Sequence, residues 1–117
     1  MRTSILIVDD SDVTRRLLAT RLTAGGADVI CASSVKDALA VDATGITTAI
    51  VDVDLAGDDG ISLADVLMGR NPRMRLALFT ADADEHRDGA DEHTTFKKPE
   101  QLDHVIAWAL ETKPNPA

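Results

Sequence analysis

Short aliphatic runs alternate along the chain with longer stretches in which apolar side chains recur every three or four positions. Residues 4–10, SILIVDD, read as a strand that closes on two acids, Asp9 and Asp10. In the following SDVTRRLLATRLTAGG, Val13, Leu17, Leu18 and Leu22 recur at helical spacing, with Ser11 or Asp12 as N-cap and Gly25-Gly26 as the stop. DVICAS (28–33) predicts a second strand, and SVKDALAVDAT a short helix turning Val35, Ala38 and Leu39 inward. TAIVDV (48–53) is a third strand. GISLADVLMGRNP starts a helix at Gly60 and stops it before Pro72, with Leu63, Val66 and Leu67 on one side. MRLALFTA (74–81) is a fourth strand, and its unbroken apolar centre predicts burial on both faces. The next stretch, DADEHRDGADEHTT, has almost no apolar residue larger than Ala, so its helix is expected to be short or irregular. TFKK reads as a clipped fifth strand. Pro99 then opens PEQLDHVIAWALE, where Leu102, Val105, Ile106 and Ala109 recur at helical spacing.

Strands alternating with helices, and too apolar to leave one face wet, predict an α/β fold: a doubly wound five-stranded parallel sheet with helices on both faces. The 117 residues suit one domain over 1–112, with 113–117 as a flexible tail or the start of a linker. Aromatic residues are limited to Phe79, Phe96 and Trp108, so the core must be built from Leu, Val, Ile and Ala. A net charge of -8 argues against direct nucleic-acid binding, which leans on clustered Lys and Arg. No apolar run approaches the roughly 20 residues that cross a bilayer, so no membrane insertion is expected. The N-terminus turns acidic within ten residues, unlike a signal peptide, and a cytoplasmic location is the expectation. Cys31, the single cysteine, permits no intrachain disulfide and reads as a small buried hydrophobe.

In open α/β sheets, ligands sit beyond the carboxyl ends of the strands. Here those ends carry Asp9-Asp10, Asp52 with Asp54 just beyond, Thr80, and Lys97-Lys98-Pro99. Each has a plain structural reading. Asp9 and Asp10 can make a turn and cap a helix, Asp54, Asp58 and Asp59 can be turn residues with a permissive Gly60, and Thr80 can end a strand. Lys97 reads as a solvated charge, and His86, His93 and His104 as surface residues rather than zinc ligands. Asp52, at the end of an apolar strand, fits no such role, because an unpaired buried charge is costly. Carboxylates gathered within a few ångströms raise one another's proton affinity unless a cation neutralises them. Mg²⁺ suits such a site, since it takes one or two carboxylates and a phosphate oxygen while keeping several waters. Asp52 could then act as nucleophile toward a phosphoryl group, with Thr80 donating to one phosphoryl oxygen and Lys98 pairing with another.

Over nearly its whole length the chain resembles the receiver domain of two-component response regulators. The resemblance is carried by Asp9-Asp10 after ILIV, Asp52 followed eight residues later by Gly60, Thr80-Ala81 closing LALF, and Lys98-Pro99 before the last helix. It implies a flavodoxin-like strand order 2-1-3-4-5. It implies that Asp52 accepts a phosphoryl group from a phosphohistidine on a histidine kinase or phosphotransfer protein, and that a downstream protein or effector domain reads the change. Mg²⁺ would be held by Asp10, Asp9, Asp52 and the backbone carbonyl of Asp54, while Thr80 and Lys98 sense the phosphoryl group. The chain would catalyse only its own phosphorylation and dephosphorylation, without turnover as an enzyme.

Three features depart from the family pattern. Ala56 stands where Pro is usual, which predicts a looser loop. The segment between Thr80 and Lys98 is short and Asp-rich. Thr95 occupies the place of an aromatic switch residue. Two other readings compete. A pseudo-receiver would dock a partner without phosphorylation, yet it needs none of the five site residues. A haloacid-dehalogenase-type phosphatase would use IVDVDLAG as its nucleophile motif, but Leu55-Ala56 lacks the expected Thr or Val and Asp9-Asp10 would go unexplained.

Overall fold

The computed structural model describes residues 3–81 and 93–111. Its frame is a five-stranded parallel sheet of β1 (Ser4–Val8), β2 (Asp28–Ala32), β3 (Thr48–Val51), β6 (Arg75–Thr80) and β7 (Thr94–Lys97), in the order β2-β1-β3-β6-β7. That is the expected 2-1-3-4-5 order once a small hairpin, β4 (Asp54–Leu55) with β5 (Asp58–Asp59), is counted in the numbering. Register is continuous across the centre: Val8 lies opposite Ala32 and Val51, and Val51 opposite Leu78. The helices are α1 (Asp12–Ala24), α2 (Val35–Leu39), α3 (Gly60–Arg70) and α4 (Leu102–Ala109), with a 3-10 turn at Ala43–Gly45. The expected short helix between β6 and β7 falls on residues 82–92, outside the described residues, as does the tail after residue 111.

The sheet divides the core by strand alternation. Leu6, Val8, Ala49, Val51, Leu76 and Leu78 face one side, where α2 and α3 bring Ala38, Leu63, Ala64 and Leu67. Ile5, Ile7, Ile50 and Phe79 face the other, where Leu18 and Leu22 of α1 meet Val105, Ile106 and Ala109 of α4. Each fully buried Leu or Ile contributes roughly 1.5–3 kcal/mol relative to exposure. β6 is buried on both faces, as its apolar run predicts.

Three helix positions expected inside lie outside. Val13 is 75% exposed, and Leu17 and Val66 are exposed as well. At 3.6 residues per turn Val13 sits about 140° around α1 from Leu18, on the opposite side from the strip that Leu18 and Leu22 bury. Val66 is similarly displaced from the face of Ile61, Leu63, Ala64 and Leu67 that α3 buries. Cys31 is exposed rather than buried, because β2 is an edge strand with a neighbour on one side only. Pro99 lies in the turn before α4, not in its first turn.

The loop at Ala56 is tight rather than loose. Leu55 pairs with Asp58, leaving Ala56-Gly57 as a two-residue connection with φ of +53° and +96°. Two positive φ values in a two-residue hairpin are the signature of a type I′ turn, whose first position favours Asn. Proline, fixed near φ -65°, cannot occupy it. Ala56→Asn is therefore expected to raise stability by about 0.5–1 kcal/mol, part of the roughly 1–2 kcal/mol that alanine pays in this region and that Asn offsets by local hydrogen bonding. Urea unfolding should show a higher midpoint at unchanged slope.

Candidate functional site

The tips of β1, β3, β6 and β7 share one end of the sheet. Asp9 follows β1 and is anchored by its N–H donating to the Ala32 carbonyl at 3.1 Å. Asp52 follows β3, and its N–H donates to the Val8 carbonyl at 2.8 Å. Thr80 ends β6, two residues past the register partner of Val51, and its carbonyl accepts from the Lys98 N–H at 3.0 Å. Asp9, Asp52 and Thr80 are 2%, 7% and 2% exposed, so the sheet ends in a buried polar floor. Asp10 is exposed at its rim.

One carboxylate oxygen from each of Asp9, Asp10 and Asp52 lies within 4.8 Å of the others, the single such cluster among the described residues. Lys98 reaches into it: Nζ donates to Asp9 Oδ2 at 2.6 Å and to Asp52 Oδ2 at 3.2 Å. The ammonium also sits 5.6 Å from the centre of the Phe79 ring. Three carboxylates against one ammonium leave two formal negative charges in the pocket. Burial pushes the Asp52 carboxyl up; the Lys98 charge opposes that, and the Asp9 charge adds to it. For Lys98, burial pulls the ammonium down, but the Asp9 hydrogen bond and the charges of Asp52 and Asp9 together raise it above its ordinary value. The Lys98 shift reports carboxylates that favour a positive charge beside them, whereas the Asp52 shift is set first by burial. Hard oxygen donors at this spacing, with one ligand open to solvent, fit a hexacoordinate cation that keeps several waters.

The other residues singled out by sequence fall as follows. Asp54 is exposed, and its N–H approaches Asp52 Oδ1 at 3.4 Å. Asp59 caps α3, accepting from the Ile61 N–H and the Ser62 hydroxyl. Lys97 is half-buried, with Nζ 3.9 Å from Glu100. Thr95 donates its hydroxyl to the His93 carbonyl at 3.1 Å. His93 pairs with Asp65 at 3.0 Å and His104 is exposed, so neither joins the acidic cluster. His86 lies outside the described residues.

Two residues have roles here that the sequence does not signal. Gly60 reads as a permissive turn glycine, but a Cβ there would fall on the Asp52 carbonyl oxygen and lie 2.8 Å from its carbon and 2.9 Å from Val53 Cα. Its N–H also donates to the Val53 carbonyl at 2.8 Å. Gly60 is thus required by close backbone approach behind Asp52. Arg15, which no motif in the sequence singles out, donates from Nη1 to the Asp9 carbonyl at 2.6 Å.

A family model described as the response regulator receiver domain matches residues 5–107. Over 106 residues the chain is 31% identical to a cyclic di-GMP phosphodiesterase of Thermotoga maritima, covering 86% of this chain and 28% of that protein. The chain therefore spans less than a third of that relative. A receiver domain structure from Clostridium thermocellum superposes with a TM-score of 0.76 at 22% identity, covering 92% of this chain and 94% of the other. A response regulator from Burkholderia pseudomallei, solved with a phosphorylated aspartic acid, calcium ion and citrate, superposes with a TM-score of 0.75. It is 26% identical, with 94% of this chain and 67% of that one covered.

Proposed function

The chain belongs to the response regulator receiver family, and on that premise we propose that it accepts a phosphoryl group onto Asp52 from a phosphohistidine of a histidine kinase or phosphotransfer protein. The observation that carries this reading is Asp52 at the tip of β3, its carboxylate within 4.8 Å of those of Asp9 and Asp10 and 3.2 Å from Lys98. The calcium and phosphoaspartate in the Burkholderia relative support it. Mg²⁺, held by Asp9, Asp10, Asp52 and the Asp54 carbonyl, would supply neutralisation of the charge that builds between a carboxylate and an incoming phosphoryl group.

The chain's own residues do the rest. An Asp52 carboxylate oxygen attacks phosphorus in line, forming an O–P bond as the P–N bond breaks. The electron pair of that bond stays on the donor imidazole, which takes up a proton from solvent. Lys98 follows the negative charge from the Asp9 and Asp52 oxygens to a phosphoryl oxygen, and the Thr80 hydroxyl donates to another. Because the Thr80 carbonyl holds the Lys98 N–H, movement at either residue is felt by the other strand. The change then biases binding of a downstream protein or effector domain by local charge. With Thr95 tied to the His93 carbonyl, that signal passes without an aromatic ring at this position.

Acetyl phosphate or beryllofluoride with Mg²⁺ tests the reading. Wild type should form one adduct by mass or fluorine NMR, and Asp52→Asn none. In metal-free buffer the same variant should melt a few degrees higher near neutral pH, on the order of 1 kcal/mol for a domain of this size. The sign follows from the raised carboxyl: the folded state binds its proton more tightly than the unfolded chain. Stability therefore falls as pH rises above the ordinary 3.8, and Asn escapes that loss. An adduct that survives Asp52→Asn would overturn the assignment. Rapid phosphate release from simple monoesters would favour a phosphatase, and wild type with neither adduct nor Mg²⁺ affinity a docking module.

A further inference from the structure

The geometry points to Arg15 as a positioning residue for the acidic pair: its guanidinium fixes the peptide between Asp9 and Asp10 and so holds both carboxylates where a divalent cation would meet them. This rests on the metal-assisted reading above but concerns a side chain that reading does not use.

Four polar atoms of Asp9 are engaged. Its N–H donates to Ala32, Oδ1 accepts from the Ser11 N–H at 2.9 Å, Oδ2 accepts from Lys98, and its carbonyl accepts from Arg15 Nη1 at 2.6 Å. The first three hold residue 9 to β2, to the α1 cap and to the loop after β7. The fourth acts on the peptide that leads to Asp10. Since a peptide unit is planar, the direction of the Asp9 carbonyl sets the Asp10 N–H and the position of its Cα. Asp10 is exposed, so packing does not hold it, yet its carboxylate stays within 4.8 Å of those of Asp9 and Asp52.

The other arm of the guanidinium, Nη2, pairs with Asp12 in the first turn of α1. The fork is thereby anchored at both ends, a geometry that a single ammonium cannot reproduce. An exposed i,i+3 ion pair alone contributes little. Arg15 differs from such a pair in being 18% exposed and in placing a charge-assisted hydrogen bond on a strand-tip carbonyl. Arg16, one residue on, is exposed. Groups that orient metal ligands typically account for about 10–100-fold in affinity.

The test is titration with Mn²⁺, read by electron paramagnetic resonance of the free ion, with Mg²⁺ as competitor. Wild type, Arg15→Met, Arg15→Lys and Asp12→Asn are compared, and the metal-free melting temperature of each is recorded. Met retains an unbranched stem, so packing is largely kept while both donors are lost. Arg15→Met should bind Mn²⁺ about tenfold more weakly or worse. Arg15→Lys should recover part of that loss, and Asp12→Asn should fall between. The order of affinities should not follow the order of melting temperatures. Wild-type affinity in Arg15→Met, with one ion bound to wild type, would overturn the inference and leave the receiver reading intact. If Arg15→Met does not fold, unchanged affinity in both Arg15→Lys and Asp12→Asn would overturn it. A wild type that takes up no ion would remove the metal-assisted reading and this inference together, an outcome visible without any variant.

Discussion

Gly60→Ala is expected to destabilise the protein by about 3 kcal/mol, at the upper end for overpacking, and to slow phosphorylation sharply. The added methyl would fall on the Asp52 carbonyl oxygen, with the Asp52 carbon and Val53 Cα under 3 Å away. All three are backbone atoms, so no side-chain rotamer can make room. Relief must come from moving α3 away from the β3 tip, which breaks the Gly60 N–H to Val53 carbonyl bond, or from rotating the Asp52 peptide. Rotation would swing the carboxylate out of the cluster with Asp9 and Asp10. Gly69→Ala is the control, because Gly69 lies in α3 with no atom within 4 Å of its Cβ position. Alanine there should gain roughly 0.5–1 kcal/mol from helix preference. Urea midpoints for the two variants should thus move in opposite directions. A Gly60→Ala protein within 0.5 kcal/mol or so of wild type would contradict the close approach.

Lys98→Met should be as damaging in metal-free buffer at neutral pH, at about 3–5 kcal/mol, the range for removing one partner of a buried ion pair. Asp9 and Asp52 would be left buried beside each other without the ammonium that now bridges them at 2.6 Å and 3.2 Å. Two conditions should shrink the deficit. Lower pH allows the Asp52 carboxyl, already raised by burial, to protonate, and Mg²⁺ substitutes one cation for another, stabilising whichever state binds it. In wild type the raised lysine makes its contribution in full below 10.5, and that contribution is lost as pH rises through the higher folded value. Melting curves over pH, with and without Mg²⁺, check both. A Lys98→Met deficit independent of pH and of Mg²⁺ would show that Lys98 acts by packing its stem rather than by its charge. On the proposed phosphoryl-transfer reading the same variant should still form the Asp52 adduct, more slowly, since Lys98 would stabilise a phosphoryl oxygen without bonding to phosphorus.

The aliphatic runs made the parallel sheet legible because a strand buried on both faces must be continuously apolar, as in LALF of β6. The acids became legible through topology, since a doubly wound sheet brings every strand tip to one end. Helix faces were less so. Spacing alone grouped Val13 and Leu17 with Leu18 and Leu22, but how much of a helix circumference is covered depends on its neighbours. Cys31 was misplaced for the same reason, as edge position is a property of strand order and not of DVICAS. The loop at Ala56 carried no signal, because alanine seldom adopts positive φ; only the pairing of Leu55 with Asp58 imposes it.

By itself, then, the residue pattern determined the α/β class and, through the family it resembles, the strand order, and it nominated Asp9, Asp10, Asp52, Thr80 and Lys98 as candidate site residues. Local periodicity and residue chemistry are short-range properties and can be read in one dimension. Tertiary structure alone decided that Lys98 bridges Asp9 and Asp52, that Gly60 is required by a backbone behind it, and that Arg15 grips the Asp9 carbonyl. Those facts depend on distances between segments up to 89 residues apart, which no spacing along the chain encodes.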